Sequence, residues 1–243
     1  MPALPVHDGT LWSAACRPTR PGGIAPADVG EDVGVRIRPI SPSLLVDKLA
    51  DRIAGTARSS WARVAIDGAP AAGPGGLGDA LVDPLRLRGR EVLRVSADDF
   101  LRAASLRFEY GRTDPDAFYT DWLDTGALVR EVLGPLEPGA SGRVLPSLWD
   151  SVTDRATRAP YVTVPPGGVL LLDGALLLGR GLPLDFAVHL WLSPGALARR
   201  TPTELRWTLP AYERYERETG PARVADAVVR VDDPRHPALA EEA

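Results

Sequence analysis

The chain has 243 residues, a formal net charge of −4 and a hydrophobic fraction of 44%. That balance suits a soluble globule with a sizeable core, and it supplies neither the basic footprint of a nucleic-acid binder nor a polybasic membrane signal. Lys48 is the one lysine among 28 basic residues, so a Schiff base, a phosphate-loop ammonium or a lysine general base would have to use it. Cys16 is the only cysteine, which excludes an internal disulfide, a cysteine zinc cluster and a CxxC redox pair.

Residues 1–34 carry Pro and Gly throughout without sustained periodicity and are expected to form a tail. Residues 35–238 are expected to form the folded domain, and residues 239–243 a second tail. No signal-peptide pattern and no membrane-length apolar run is present, so a cytoplasmic location is expected.

SPSLLVDKLADRIAGTA begins with a Ser cap and Pro42 at the first helical position. Leu45, Leu49 and Ile53 follow at four-residue spacing, so the segment reads as an amphipathic helix carrying Lys48. RVAIDG is a β-branched strand ended by glycine. A glycine-rich loop and the helix-like GDALVDPLRLRG follow, then EVLRVSADDF as a strand running into a turn. DAFYTDWLDTGALVREVLGPL reads as mostly helical, YVTV as a short edge strand, and GVLLLDGALLL as a buried parallel strand. FAVHLWL and DAVVRVDD add two strands, separated by an arginine-rich helical stretch over residues 194–220. Strands separated by helical stretches predict an α/β fold with a doubly wound, mainly parallel sheet.

In such sheets ligands sit at the carboxyl ends of the strands. The loop after the first of these core strands reads DGAPAAGPGGL, and Gly68 and Gly73 have the spacing of the glycines in GxxxxGK[ST]. Gly75 and Gly76 complete the candidate phosphate loop. The lysine position holds Pro74, which has neither a charge nor an N–H, and the hydroxyl position holds Gly75. The alternative is a tight strand-to-helix turn.

The order of motifs from residue 35 to 238 resembles the uridine kinase group of P-loop nucleoside kinases. The resemblance rests on VAIDGAPAAG, RVSADDF, RTDPDAFYTDW, LPSLWDSVTDRATRAP, GVLLLDGALLL and RWTLPAYERYE…ADAVVRVDDP. It implies a P-loop NTPase-like three-layer αβα fold with a helical lid, and ATP with Mg²⁺ as cofactors, both weakened or lost with the altered loop. It places the general base for a nucleoside 5′-hydroxyl at Asp98 of the SxDxF-like segment, with Phe100 on the substrate side. A carboxylate within reach of a hydroxyl suits that role; the other reading of Asp98 and Asp99 is a helix cap.

The resemblance places Thr113 at the ribose-contact position with Asp114 beside it, and an aromatic of the base pocket at Trp149. The histidine expected nearby is replaced by Asp154 and Arg155. Core packing is the alternative for Phe118 and Trp149. Asp173 would help hold Mg²⁺, or else stabilise a turn. Arg199, Arg200 and Arg206, with Arg214, match the lid, where arginines can clamp a phosphoryl group or form surface pairs with interspersed glutamates. His189, among apolar neighbours, reads as a satisfied core or edge residue.

Two functions are therefore foremost, beside an enzyme with different chemistry in the same cleft. One is a kinase-fold protein that has lost or altered phosphoryl transfer and keeps a cleft for a nucleoside-like ligand. The other is an active ATP-dependent small-molecule kinase. The expected partner is a small molecule, with no nucleic acid and no membrane, and homo-oligomer formation is left open.

Overall fold

The computed structural model describes residues 36–56 and 60–241. The expected tail over residues 1–34 lies outside them. Seven strands make the main sheet: β1 (Arg36–Pro39), β2 (Ala62–Asp67), β3 (Val92–Ser96), β4 (Val169–Gly174), β5 (Phe186–Trp191), β6 (Ala227–Arg230) and β7 (Ala238–Glu241). Their order is β1-β7-β6-β5-β2-β4-β3. Strands β6, β5, β2, β4 and β3 run parallel, and β7 and β1 close one edge antiparallel.

Every residue of β4 is buried, as a continuous apolar strand covered on both faces requires. Its side chains alternate between two cores. Val169 and Leu171 join Leu45, Leu49 and Ile53 of α1 (Pro42–Gly55) and Leu81 and Leu85 of α2 (Pro74–Leu87). Leu170 and Leu172 join Phe100, Leu128, Val132 and Leu133 on the opposite face. Helices, sheet and helices thus stack in three layers. The sequence-predicted cap of α1 is present: the Ser41 hydroxyl accepts from Leu44 N at 3.3 Å, with Pro42 in the first turn.

The stretch read as mostly helical from residue 116 is broken. Asp114 caps α3 (Pro115–Thr120), and Asp124 caps a second start at Thr125, accepting from Ala127 N at 2.8 Å. YVTV contributes only Val162–Thr163, paired with Arg143–Val144 in a separate two-stranded ribbon rather than at an edge of the main sheet. The segment read as a tail from residue 239 is also corrected. It belongs to β7, which is hydrogen-bonded on both sides, and Leu239 points into the core with 2% of its surface exposed. The arginine-rich stretch resolves into α4 (Pro194–Arg200), a 3-10 turn (Thr203–Thr208) and α5 (Leu209–Glu218), the segments that the resemblance assigns to a lid. Among the described residues no helix is long and apolar enough to cross a membrane.

Candidate functional site

The carboxyl ends of β2, β3 and β4 bring three sequence-predicted segments together: the glycine loop, the Asp98 turn and Asp173. The loop begins where Gly68 N donates to Gly174 O at 3.0 Å, tying β2 to the end of β4. Pro70–Ala72 then form one 3-10 turn, in which Ala72 N donates to Ala69 O at 2.8 Å and Gly73 N to Pro70 O at 3.0 Å. These central amides point back into the turn instead of outward as an anion-binding nest would. Pro70 and Pro74 have no N–H. Gly73 adopts φ 77° and ψ 44°, a left-handed conformation that favours glycine, and α2 starts immediately after it. Gly75 and Gly76 are first-turn residues of α2, whose cap residue Gly73 offers no side-chain acceptor.

Arg94 fills part of the site, a role for which its sequence gave no signal. It lies mid-strand in β3, an edge of the sheet. Its Nε donates to Asp173 Oδ1 at 2.7 Å, and its Nη1 donates to Asp79 on α2. A Cβ added to Gly75 would lie 2.9 Å from Arg94 Nη2 and 3.4 Å from Asp173 Oδ2; one added to Gly78 would lie 3.0 Å from Arg94 Nε. Glycine at these two positions is what lets the guanidinium lie against α2. The hydrogen bond to Asp173 leads the causes that hold the Arg94 pKa above its ordinary value, opposed by desolvation. Asp173 is only 4% exposed, so its carboxylate depends on this partner.

A magnesium ion at such a loop is held by one or two carboxylates together with water and substrate phosphates. Position 75 has no hydroxyl and Asp173 Oδ1 is engaged by Arg94, so the two groups that the resemblance implies for the ion are respectively missing and already paired.

Asp98 stands at the cleft mouth in the 3-10 turn Ala97–Phe100, whose cap is Ser96, accepting from Asp98 N at 3.4 Å. Capping therefore falls to Ser96. The Asp98 carboxyl keeps exposed surface, yet the protein mass around it desolvates it and, with Asp173 nearby, pushes its pKa up. Asp99 is raised for similar reasons, burial first and then the Asp98 charge.

Directly behind the loop lies a buried network that the sequence reading missed. Asp67, fully buried at the end of β2, accepts from Leu177 N at 2.8 Å, pairs with His189 Nδ1 at 2.7 Å, and accepts from the Tyr215 hydroxyl at 3.1 Å. The Tyr215 hydroxyl in turn accepts from Leu178 N at 2.9 Å. Asp67 and His189 are register partners in the sheet. Two polar residues, each ending or interrupting an apolar strand, were the available signal. Burial opposes charge on His189, but the Asp67 hydrogen bond and the Glu216 carboxylate outweigh it and lift its pKa to about 9.

The expected substrate residues divide. Phe100 is fully buried in the core, which removes it from ligand contact. Thr113 is exposed. The Asp114 carboxylate is engaged as the cap of α3, accepting from Ala117 N at 2.7 Å. Trp149 and Asp150 pair antiparallel with Ala156 and Arg155 in a short hairpin; Trp149 donates through Nε1 to Asp154 Oδ1 at 3.0 Å, and the same oxygen accepts from Ala104 N at 2.8 Å, so Asp154 anchors this hairpin. Phe118 packs edge-to-face on Trp122 at 5.1 Å and on Trp207 of the lid at 5.6 Å. Of the lid arginines, Arg200 donates to Val231 O at 2.8 Å and Asp232 O at 2.7 Å, an anchoring role rather than a free clamp. Arg199 and Arg206 are exposed. Arg214 joins Glu218 on its own helix at 2.9 Å and Asp116 on α3 at 2.9 Å, so α5 is paired with α3.

No protein-family model and no curated protein matches the chain. Solved structures do. A possible uridine kinase from Bacillus stearothermophilus aligns with a TM-score of 0.62 at 22% identity, over 75% of this chain and 96% of its own. A protein assigned as a fructose transport system kinase from Silicibacter sp. TM1040 aligns with a TM-score of 0.51 at 20% identity, over 75% of this chain and 91% of its own. At these identities the likeness is one of architecture: the chain has the three-layer α/β fold of uridine-kinase-like P-loop structures.

Proposed function

We propose that this protein is a kinase-fold binding module that holds a nucleoside-like small molecule in the cleft between Asp98 and the lid, and does not transfer phosphate by the MgATP route. The observation that carries this reading is the Arg94 guanidinium, bonded to Asp173 and lying where a Cβ on Gly75 would have to go. Phosphoryl transfer in this fold depends on positioning and electrostatic stabilisation, from the loop amides, a lysine and a metal ion. Here the lysine is replaced by Pro74, two loop amides turn inward, and the acid that would support the metal is paired with arginine. Removing even one well-placed donor costs about 10²–10³ in rate.

The test is calorimetric titration of the full chain with ATP, with and without Mg²⁺. No Mg²⁺-dependent gain in affinity is expected. The variant Arg94→Ala/Pro74→Lys/Gly75→Ser should acquire Mg²⁺-dependent binding, by about tenfold or more. Sub-millimolar Mg²⁺-dependent binding by the unaltered chain, with turnover abolished by Asp98→Asn, would instead establish an active kinase using Asp98 as base.

A further inference from the structure

Tyr212 and Tyr215 stand one turn apart on α5, both buried, and their hydroxyls are used differently. The Tyr215 hydroxyl donates to Asp67 at 3.1 Å and accepts from Leu178 N at 2.9 Å. Tyr119 and Tyr161 bond to Thr219 and Glu131. The Tyr212 hydroxyl has no hydrogen-bond partner among the described residues, although the residue is only 8% exposed. The oxygen is not sealed in, because it keeps surface that a small molecule can touch. A buried polar group without a partner is costly and rare, so the partner of this phenol comes from outside the chain.

Its surroundings define what can arrive. The Tyr212 ring packs on Phe118 of α3 with centroids 5.9 Å apart. With Gly68, Ala69 and Leu176 it also walls a cavity of about 510 Å³ between β5, α4 and α5, whose size is that of a small-molecule site. The other walls are mainly apolar, with Leu190, Leu192 and Leu197 among them, and suit a flat apolar body. Burial, then the Asp98 charge and then that of Asp67, push the Tyr212 pKa up, so two carboxylates surround the phenol. Asp67 is already filled by Leu177 N, His189 and Tyr215. The Asp98 carboxylate is exposed and accepts no hydrogen bond among the described residues.

Hydrogen-bond capacity then narrows the ligand group. The phenol proton needs an acceptor, and a carboxylate needs a donor. One hydroxyl serves both, taking the Tyr212 proton on its oxygen and giving its own proton to Asp98. An ammonium would leave the phenol proton unpaired, and an anion would face the Asp98 charge.

We propose that Tyr212 is a ligand-contacting residue that selects an uncharged molecule with a flat apolar body and a hydroxyl group, the hydroxyl bridging Tyr212 and Asp98. The proposal rests on the reading of the cleft as a small-molecule site and names the residue that decides which molecule enters.

Four probes of one size test it on the full chain by saturation-transfer NMR: benzyl alcohol, toluene, benzylamine and benzoate. Benzyl alcohol should bind at least about threefold tighter than each of the others. Tyr212→Phe should bring benzyl alcohol down to the toluene level, while toluene affinity and the urea midpoint stay as they were, because the hydroxyl holds nothing in the free chain. Tyr215→Phe should lower the urea midpoint instead, because Leu178 N loses its acceptor. In the unaltered chain, isotope-labelled at tyrosine Cζ, saturating benzyl alcohol should move the resonance that Tyr212→Phe removes. No benzyl alcohol binding at tens of millimolar, as for a hydroxyl satisfied by water alone, would overturn the proposal. So would a preference for benzylamine or benzoate, an unmoved Tyr212 resonance, or a midpoint loss in Tyr212→Phe equal to that in Tyr215→Phe. Mg²⁺-dependent ATP binding in the calorimetric titration would sink the binding-module reading and leave Tyr212 untouched.

Discussion

Raising the pH from about 6 to about 10 should strip the buried Asp67–His189 pair of its proton and cost the fold measurable stability. The groups facing the imidazole are Asp67 from β2 and Tyr215 and Glu216 from α5. Burial works against the imidazolium, and the two carboxylates overcome it, so the folded pKa stands at about 9 against 6.5 for an ordinary histidine. A pKa raised on folding stabilises the protein fully below the unfolded value, and that contribution is lost as pH rises through the folded value. The window is therefore about 6.5 to 9. At 1.36 kcal/mol per unit, the contribution is about 3 kcal/mol. Tyr215 stays protonated across this window, because burial and the Asp67 charge push its pKa up. Urea denaturation followed by tryptophan fluorescence, repeated across the pH range, measures the loss. Asp67→Asn is the control: with the main counter-charge gone, desolvation pulls the His189 pKa down and the alkaline loss should shrink. An alkaline loss below about 1 kcal/mol, or an equal loss in Asp67→Asn, would refute the assignment of His189 as a buried cation.

Gly75→Ser alone should change stability by less than about 1 kcal/mol, because the new Cβ at 2.9 Å meets only the end of the Arg94 side chain and replacing a helical glycine offsets the displacement. In an Arg94→Ala background the same change should be more favourable, and a double-mutant cycle of urea melts measures the coupling; additivity would mean that the guanidinium does not occupy that space. Phe100→Ala should cost about 3–5 kcal/mol in the same melts, as expected for a fully buried aromatic; a cost below about 1 kcal/mol would return Phe100 to the substrate side. Asp154→Ala should loosen the Trp149–Ala156 hairpin, because it leaves Ala104 N and Trp149 Nε1 without their shared acceptor. It should also raise proteolysis within residues 149–156.

Wherever one segment carries its own signal, the sequence was sufficient. The apolar run of β4, the β-branched run of β2 and the capped amphipathic pattern of α1 all fold as read. Asp98 and Asp173 also fall where the fold collects strand ends, because the sheet places any residue at the carboxyl end of a parallel strand near the others. What escaped is non-local. β7 is four residues whose partner β1 lies some 200 positions earlier, and nothing local distinguishes such a strand from a polar tail. Arg94 reads as an edge-strand charge, and its reach to Asp173 depends on two glycines in a different element. Asp67 and His189 become a pair only once β2 and β5 are neighbours in register. Asp114 and Asp124 show the reverse case, in which local helix capping uses a side chain that motif matching gave to a ligand or passed over.

The single lysine acquires its meaning from Arg94. A motif lysine is a mobile ammonium on a flexible stem, free to follow a phosphate through transfer. Arg94 brings an equal charge to the same neighbourhood but is fixed by Asp173 and Asp79, which together more than neutralise it. Asp98 adds a third carboxyl, its pKa raised by desolvation first and then by the Asp173 charge. One guanidinium against three acids gives this end of the cleft a negative balance. Arg200 is turned to backbone carbonyls and Arg214 is paired with Glu218 on its own helix and with Asp116, which leaves Arg199 and Arg206 to supply positive charge from that stretch. Under the proposed reading the cleft takes an uncharged nucleoside in preference to a phosphoryl donor, and charge more than shape would set such a module apart from an active kinase of the same fold.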